Sequence, residues 1–168
     1  MLVAKLATGP DESALSEGLA GAQDQGFGRE RRLRYERHLR ILFADGRKLR
    51  LGPLTVVYYA PTAADLPISR RADAPVPEFS ILAAVSVPKL QHRRATQRAR
   101  IKRLLRESYR RQVLPLLRTK LEAPLWLCWI WQDRRVPTQQ EINDRLSAAA
   151  IELIARVAPP PTQDETKH

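Results

Sequence analysis

Residues 79–111 read FSILAAVSVPKLQHRRATQRARIKRLLRESYRR, and this stretch decides the fold. Phe79–Val87 is a run of strand formers, and Pro88 stops it. Lys89–Ala95 is a basic loop. From about Thr96, which can serve as the N-cap, the spacing predicts a long helix. On a helix turning about 100° per residue, Ile101, Leu104, Leu105 and Ser108 point one way. Val113, Leu114, Leu116 and Leu117 continue the apolar face, with Pro115 expected to kink or restart the helix. Leu125–Trp131 (LWLCWIW) is a final buried strand.

Working outward, Arg29–Phe43 reads as an amphipathic helix with Tyr35, Leu39, Leu42 and Phe43 as its apolar stripe. Asp45-Gly46 ends it, with the glycine expected in a left-handed cap. Arg47–Leu51 and Leu54–Tyr59 are strands joined by a turn at Gly52-Pro53. Four prolines make residues 60–78 a loop. On the other side, Pro137-Thr138 opens a last helix whose core stripe is Ile142, Leu146, Ala149, Ala150, Leu153 and Ile154. The order is α-β-β-β-α-β-α, an α+β domain with a single sheet covered by helices. Residues 1–28 form an aperiodic N-terminal extension, residues 29–158 the domain, and residues 159–168 a proline-led tail.

The chain has 168 residues, with 29 Lys and Arg against 18 Asp and Glu. Residues 29–158 hold 27 of the bases and 12 of the acids, a net +15. Such an excess calls for a polyanion on the surface. No run of about 18 apolar residues exists to cross a membrane, and the first 28 residues do not read as a signal peptide. The single Cys128 excludes a disulfide framework and sits in an apolar strand as a core residue. These features fit a cytoplasmic protein, with nucleic acid as its partner.

The charge is densest on the long helix. Nine bases lie between Arg93 and Arg111, with Glu107 as the single acid. Arg98, Lys102 and Arg106 form an i, i+4, i+8 row, and Arg103 and Arg110 extend it. Like charges at that spacing destabilise an isolated helix by a few tenths of a kcal/mol per pair, roughly, and bound phosphate is the natural compensation. Eight of the nine are arginines, which grip phosphate oxygens in a bidentate way and stack on bases. Lys89, Arg93, Arg94, Arg98, Arg100, Lys102, Arg103, Arg106 and Arg110 are the candidate RNA-binding residues. Carboxylates are scattered, and His38, His92 and His168 have no metal-ligand spacing. The chain therefore has no candidate catalytic or metal-binding residues, and no small-molecule substrate is indicated.

The stretch Ala95-Thr96-Gln97-Arg98-Ala99-Arg100-Ile101-Lys102-Arg103-Leu104-Leu105-Arg106-Glu107 resembles the diagnostic motif of the protein component of bacterial ribonuclease P. The family pattern is Ala-Val-x-Arg-Asn-Arg-x-Lys-Arg, and here Thr96 and Ala99 replace its Val and Asn. Val85-Ser86-Val87-Pro88-Lys89, Glu30-Arg31-Arg32-Leu33 and Leu42-Phe43-Ala44-Asp45-Gly46-Arg47 are similar to its flanks, so the resemblance covers about residues 27–157. It implies a two-layer α/β sandwich with a left-handed β-α-β crossover. It also implies an accessory protein subunit of an endoribonuclease, whose partners are ribonuclease P RNA and precursor tRNA. The RNA subunit would hold the catalytic Mg²⁺, with none bound tightly by the protein alone. The long helix and its preceding loop would bind the RNA. A cleft between the first helix and the sheet would receive the 5′ leader at Leu39, Phe43 and Tyr58. Two other classes fit the charge: a non-enzymatic rRNA-binding or ribosome-assembly protein, and a DNA-binding helix protein. The second lacks the short helix and turn that should precede the arginine helix.

Overall fold

The computed structural model describes residues 31–62, 64–65 and 81–158. The N-terminal extension 1–28, the tail 159–168, Phe79, Ser80 and most of the proline loop 60–78 lie outside the described residues.

The element order is α1 (Glu36–Asp45), β1 (Arg47–Leu51), β2 (Leu54–Tyr59), β3 (Ile81–Ser86), α2 (Ala95–Ser108), α3 (Leu114–Lys120), β4 (Leu125–Trp131) and α4 (Gln139–Val157). The strands form one sheet in the order β1-β2-β4-β3. β1 and β4 each pair antiparallel with β2, while β3 and β4 run parallel. A parallel pair needs a long crossover, and α2 and α3 supply it. β4 is central and is buried on both faces. That explains why LWLCWIW shows no alternation.

One face of the sheet carries the larger core. Leu49, Val56, Tyr58, Leu127, Trp129 and Trp131 pack there with Ile101, Leu105, Leu117, Leu146 and Leu153 of α2, α3 and α4. On the other face Leu42 of α1 packs with Leu33, Val57, Trp126 and Cys128. Burial pushes the Cys128 thiol up to about 12, so it stays protonated and inert.

Three local expectations are corrected. The first helix begins at Glu36, not Arg29. A first turn made of Arg31, Arg32 and Arg34 would set positive charge against the positive end of the helix dipole. Instead that segment lies along β3, where Leu33 N–H donates to the Ala83 carbonyl at 2.9 Å. Gly46 has φ −70°, so it is not a left-handed cap. Glycine is needed there because a Cβ would collide with the Leu42 carbonyl oxygen. The left-handed glycine is Gly52, at φ +57° in the β1–β2 turn. Lastly, α2 starts at Ala95 with an extended Arg94 before it and no side-chain cap, so Thr96 lies inside the first turn.

Pro115 does restart the helix, by a specific device. Tyr109–Val113 forms a π-helical turn, and Leu114 N–H donates to the Tyr109 carbonyl. The widened turn brings Pro115 into the first turn of α3, where its missing N–H costs little. α4 opens after Pro137-Thr138 as expected, and the structure adds a full capping box there. Glu141 N–H donates to Thr138 Oγ1 at 3.2 Å, and Thr138 N–H to Glu141 Oε2 at 2.8 Å. α4 is tied to α2 by Gln139 Nε2, which donates to Ser108 Oγ at 2.6 Å, and by a Ser108–Asn143 hydrogen bond.

Candidate nucleic-acid interface

The basic row predicted on the long helix becomes a surface. Arg98, Lys102, Arg103, Arg106 and Arg110 surround a shallow hollow of about 490 Å³, with Ala95 and Ala99 also lining it. Ala99 stands where the family pattern has Asn, so that stretch of wall offers a methyl group in place of an amide. Glu107 lines the same hollow and ion-pairs with Arg110 at 2.8 Å and Arg111 at 2.6 Å. Those guanidinium groups, Arg110 foremost through its hydrogen bond, hold the Glu107 carboxyl below the usual carboxylate range. The one acid therefore stays ionised and steadies two arginines.

The candidate residues do not all do the same work. Arg98 is partly buried and turns back on its own loop: its Nη1 donates to the carbonyls of His92 and Arg93 at 2.8 and 2.7 Å. Buried His92 anchors that loop to the end of β4, its Nε2 at 2.7 Å from the Asp133 carbonyl. Together they hold the segment that exposes Lys89, Arg93 and Arg94. Arg100 is exposed but does not line the hollow. Arg32 is not among the RNA-binding candidates read from the sequence, yet its charge, after burial, lowers the pKa of Arg106. It arrives beside the hollow because the segment before α1 runs along β3, a placement no helical periodicity could show.

The leader-cleft candidates separate. Leu39 is partly buried against the smaller core and Phe43 is 47% exposed, both on α1. Tyr58 is not with them. It is buried in the larger core on the opposite face of the sheet, while Tyr59 lies on the α1 face. Tyr59 OH donates to Asp65 Oδ2 at 2.9 Å, and Thr62 donates to the same oxygen through N–H and Oγ1. These bonds, Thr62's first, hold the Asp65 carboxyl low and set the Tyr59 ring in place.

A chain of rings packs between α1 and the sheet. His38 stacks on Trp126 with centroids 4.5 Å apart and planes at 29°. Tyr35 meets His38 edge-on at 5.3 Å, and Tyr59 lies 5.8 Å from Trp126. Arg34 sits 5.1 Å from the Tyr35 ring centre. Neither His38 nor Trp126 is legible as a cleft residue from the sequence. Polarity hides His38, and a strand that is apolar throughout hides Trp126.

Among the described residues, no group of three or more His, Cys, Asp or Glu could hold a metal ion. Among them too, no helix is long and apolar enough to cross a membrane.

Comparison with known proteins agrees with this geometry. No curated protein sequence matches the chain. The ribonuclease P protein from Thermotoga maritima superposes with a TM-score of 0.51 at 16% identity, over 76% of this chain and 98% of the other. The Staphylococcus aureus ribonuclease P protein superposes with a TM-score of 0.50, also at 16% identity, over 76% and 96%. At that identity the likeness establishes the fold. The family model described as Ribonuclease P matches residues 27–123, more than half of the sequence. The chain belongs to the ribonuclease P protein family, the protein subunit of the ribozyme that matures the 5′ end of precursor tRNA.

Proposed function

We propose that the two surfaces divide the subunit's work. The hollow on α2, with the loop from Lys89 to Arg94, binds the catalytic RNA. The cleft between α1 and the sheet receives the single-stranded leader. The carrying observation is the separation of chemistries. Arg98, Lys102, Arg103, Arg106 and Arg110 ring one hollow, while Phe43 stands half-exposed on α1 and Tyr59 lies on the sheet face that α1 covers. A rigid basic surface suits the phosphates of a folded RNA. Half-exposed rings suit the unstacked bases of a single strand. In this reading Leu39 and Phe43 keep the role the resemblance gave them, and Tyr59 takes the place of Tyr58.

Divalent Mg²⁺ activates water and stabilises the leaving oxygen in such a hydrolysis. The carboxylates nearest the two surfaces are already engaged. Asp65 is taken up by Thr62 and Tyr59, and Glu107 by Arg110 and Arg111. In this reading the RNA subunit holds the metal. The protein neutralises phosphate, orders the leader and sets it in register for cleavage, in the cytoplasm where both RNAs reside.

Tethered-probe mapping tests the division. Cys128 is buried, so a thiol-linked hydroxyl-radical source attaches only to an introduced cysteine. In the holoenzyme with a bacterial ribonuclease P RNA and a precursor tRNA, Arg103→Cys should cut the RNA subunit and Phe43→Cys the leader. The reverse pattern, or leader cuts from both, defeats the assignment.

A further inference from the structure

β2 ends in two tyrosines that point to opposite faces of the sheet. Tyr59 belongs to the α1 cleft. Tyr58, with Asp45, Arg47, Arg156 and Val157, lines a separate pocket of about 410 Å³. We propose that this pocket takes one further nucleotide of the leader, beyond those held against Phe43 and Tyr59. The proposal rests on the reading of the α1 cleft given above.

Three features carry it. The first is continuity. Tyr59 and Asp45 line the pocket as well, so it opens where α1 ends, two residues past Phe43. Tyr59 belongs to both the α1 face and the pocket wall, so the two meet at the end of β2. The second is size, since about 300–1,000 Å³ is the range of pockets that enclose small ligands.

The third is the set of polar groups. Arg47 lies directly opposite Tyr58 in the antiparallel β1–β2 register, so the two share a face. Arg47 is exposed and has no ion-pair partner among the described residues. Arg156 reaches the pocket from α4, where its Nε donates to Glu152 Oε1 at 3.0 Å, and it lines the wall together with Tyr58. A guanidinium held in this way loses little freedom when it meets a ligand. Asp45 and Glu152 offset the two arginines, so the pocket is not a general phosphate trap. Arg47 at the mouth is placed for one phosphate, the Asp45 carboxylate can accept base N–H groups, and Val157 offers an apolar wall. An exposed arginine on an edge strand also discourages strand-to-strand association. That accounts for Arg47 alone, and not for Arg156 held beside Tyr58.

The test is binding of precursor tRNAs, with leaders lengthened one nucleotide at a time, to the reconstituted holoenzyme. Phe43→Ala should weaken binding of every precursor whose leader reaches the cleft. Arg47→Gln and Arg156→Gln should bind short-leader precursors as the parent protein does. Beyond a threshold length they should bind about fivefold or more weakly. Equal affinity to the parent at every length, with Phe43→Ala still weakened, overturns the pocket and leaves the cleft standing. An unaltered Phe43→Ala overturns the cleft reading and the pocket with it. Arg47→Gln is the safer variant, because its side chain is exposed. A uniform loss from Arg156→Gln at all lengths, mature tRNA included, marks a structural role and also overturns the proposal.

Discussion

The hollow on α2 and the cleft under α1 differ in how many pieces of chain each requires. The hollow is essentially one helix: Arg98, Lys102 and Arg106 recur at i, i+4 and i+8, and the helix alone lines them up. The α1 face draws His38 and Leu39 from α1, Tyr59 from β2 and Trp126 from β4. A surface built on one element tolerates loss of distant packing, whereas a surface built on three depends on it.

Trp126→Ala should break this contrast most forcefully. Removing a fully buried indole costs about 3–5 kcal/mol. Denaturant unfolding should show that loss. At temperatures where the variant stays folded, leader-dependent binding should disappear while binding to ribonuclease P RNA persists. Loss of both together would mean that the hollow also depends on the smaller core.

Next in size is the triple variant Lys102→Ala, Arg103→Ala, Arg106→Ala. Affinity for the RNA subunit should fall roughly a hundredfold. The salt dependence of binding should flatten by about one unit for each phosphate no longer neutralised, near three in all. An unchanged slope would place the phosphates elsewhere. Arg98 is left out because its guanidinium is engaged with its own loop, and its removal would disturb Lys89, Arg93 and Arg94 together.

A smaller effect separates the paired tyrosines. Tyr59→Ala should reduce the preference for precursor over mature tRNA by about five- to a hundredfold. Tyr58→Phe, measured with a short leader, should leave that preference alone. Matching losses from the two would return Tyr58 to the cleft.

The smallest effect is pH-dependent and confined to the α1 face. Burial first, then Arg37, lowers the pKa of His38 from the usual 6.5, with Asp65 opposing. The unfolded chain takes up a proton near pH 6.5 that the folded chain resists. Stability from this group is thus complete above about pH 6.5 and falls as the pH drops through it. Denaturant midpoints between about pH 7.5 and 5.5 should decline less in His38→Gln than in the parent protein, and an equal decline would remove His38 as the cause.

Much of the molecule is legible in the chain itself. The bounds of β4, the opening of α4 at Pro137-Thr138, the core stripe of α4 and the basic row of α2 are local. Each is set by periodicity, capping chemistry or residue type within one element, and neighbours only reinforce it. The start of α1 is not legible in the same way, because the apolar spacing extends to Tyr35 and the basic run ahead of it looks helical in isolation. An edge carbonyl of β3, Ala83, decides otherwise.

What only the tertiary structure decided is which side chains share a face. β2 is buried on both sides from Leu54 to Tyr58. It therefore carries no alternation to say whether Tyr58 or Tyr59 meets α1. The register with β4, with Val57 opposite Cys128 and Tyr59 opposite Trp126, settles it. The sequence by itself determined a basic helix, its partner class and its family. Pairing across strands 70 residues apart, roughly, is non-local and leaves no trace in spacing, so the cleft and the pocket at the sheet's end emerge only when the sheet closes around β4.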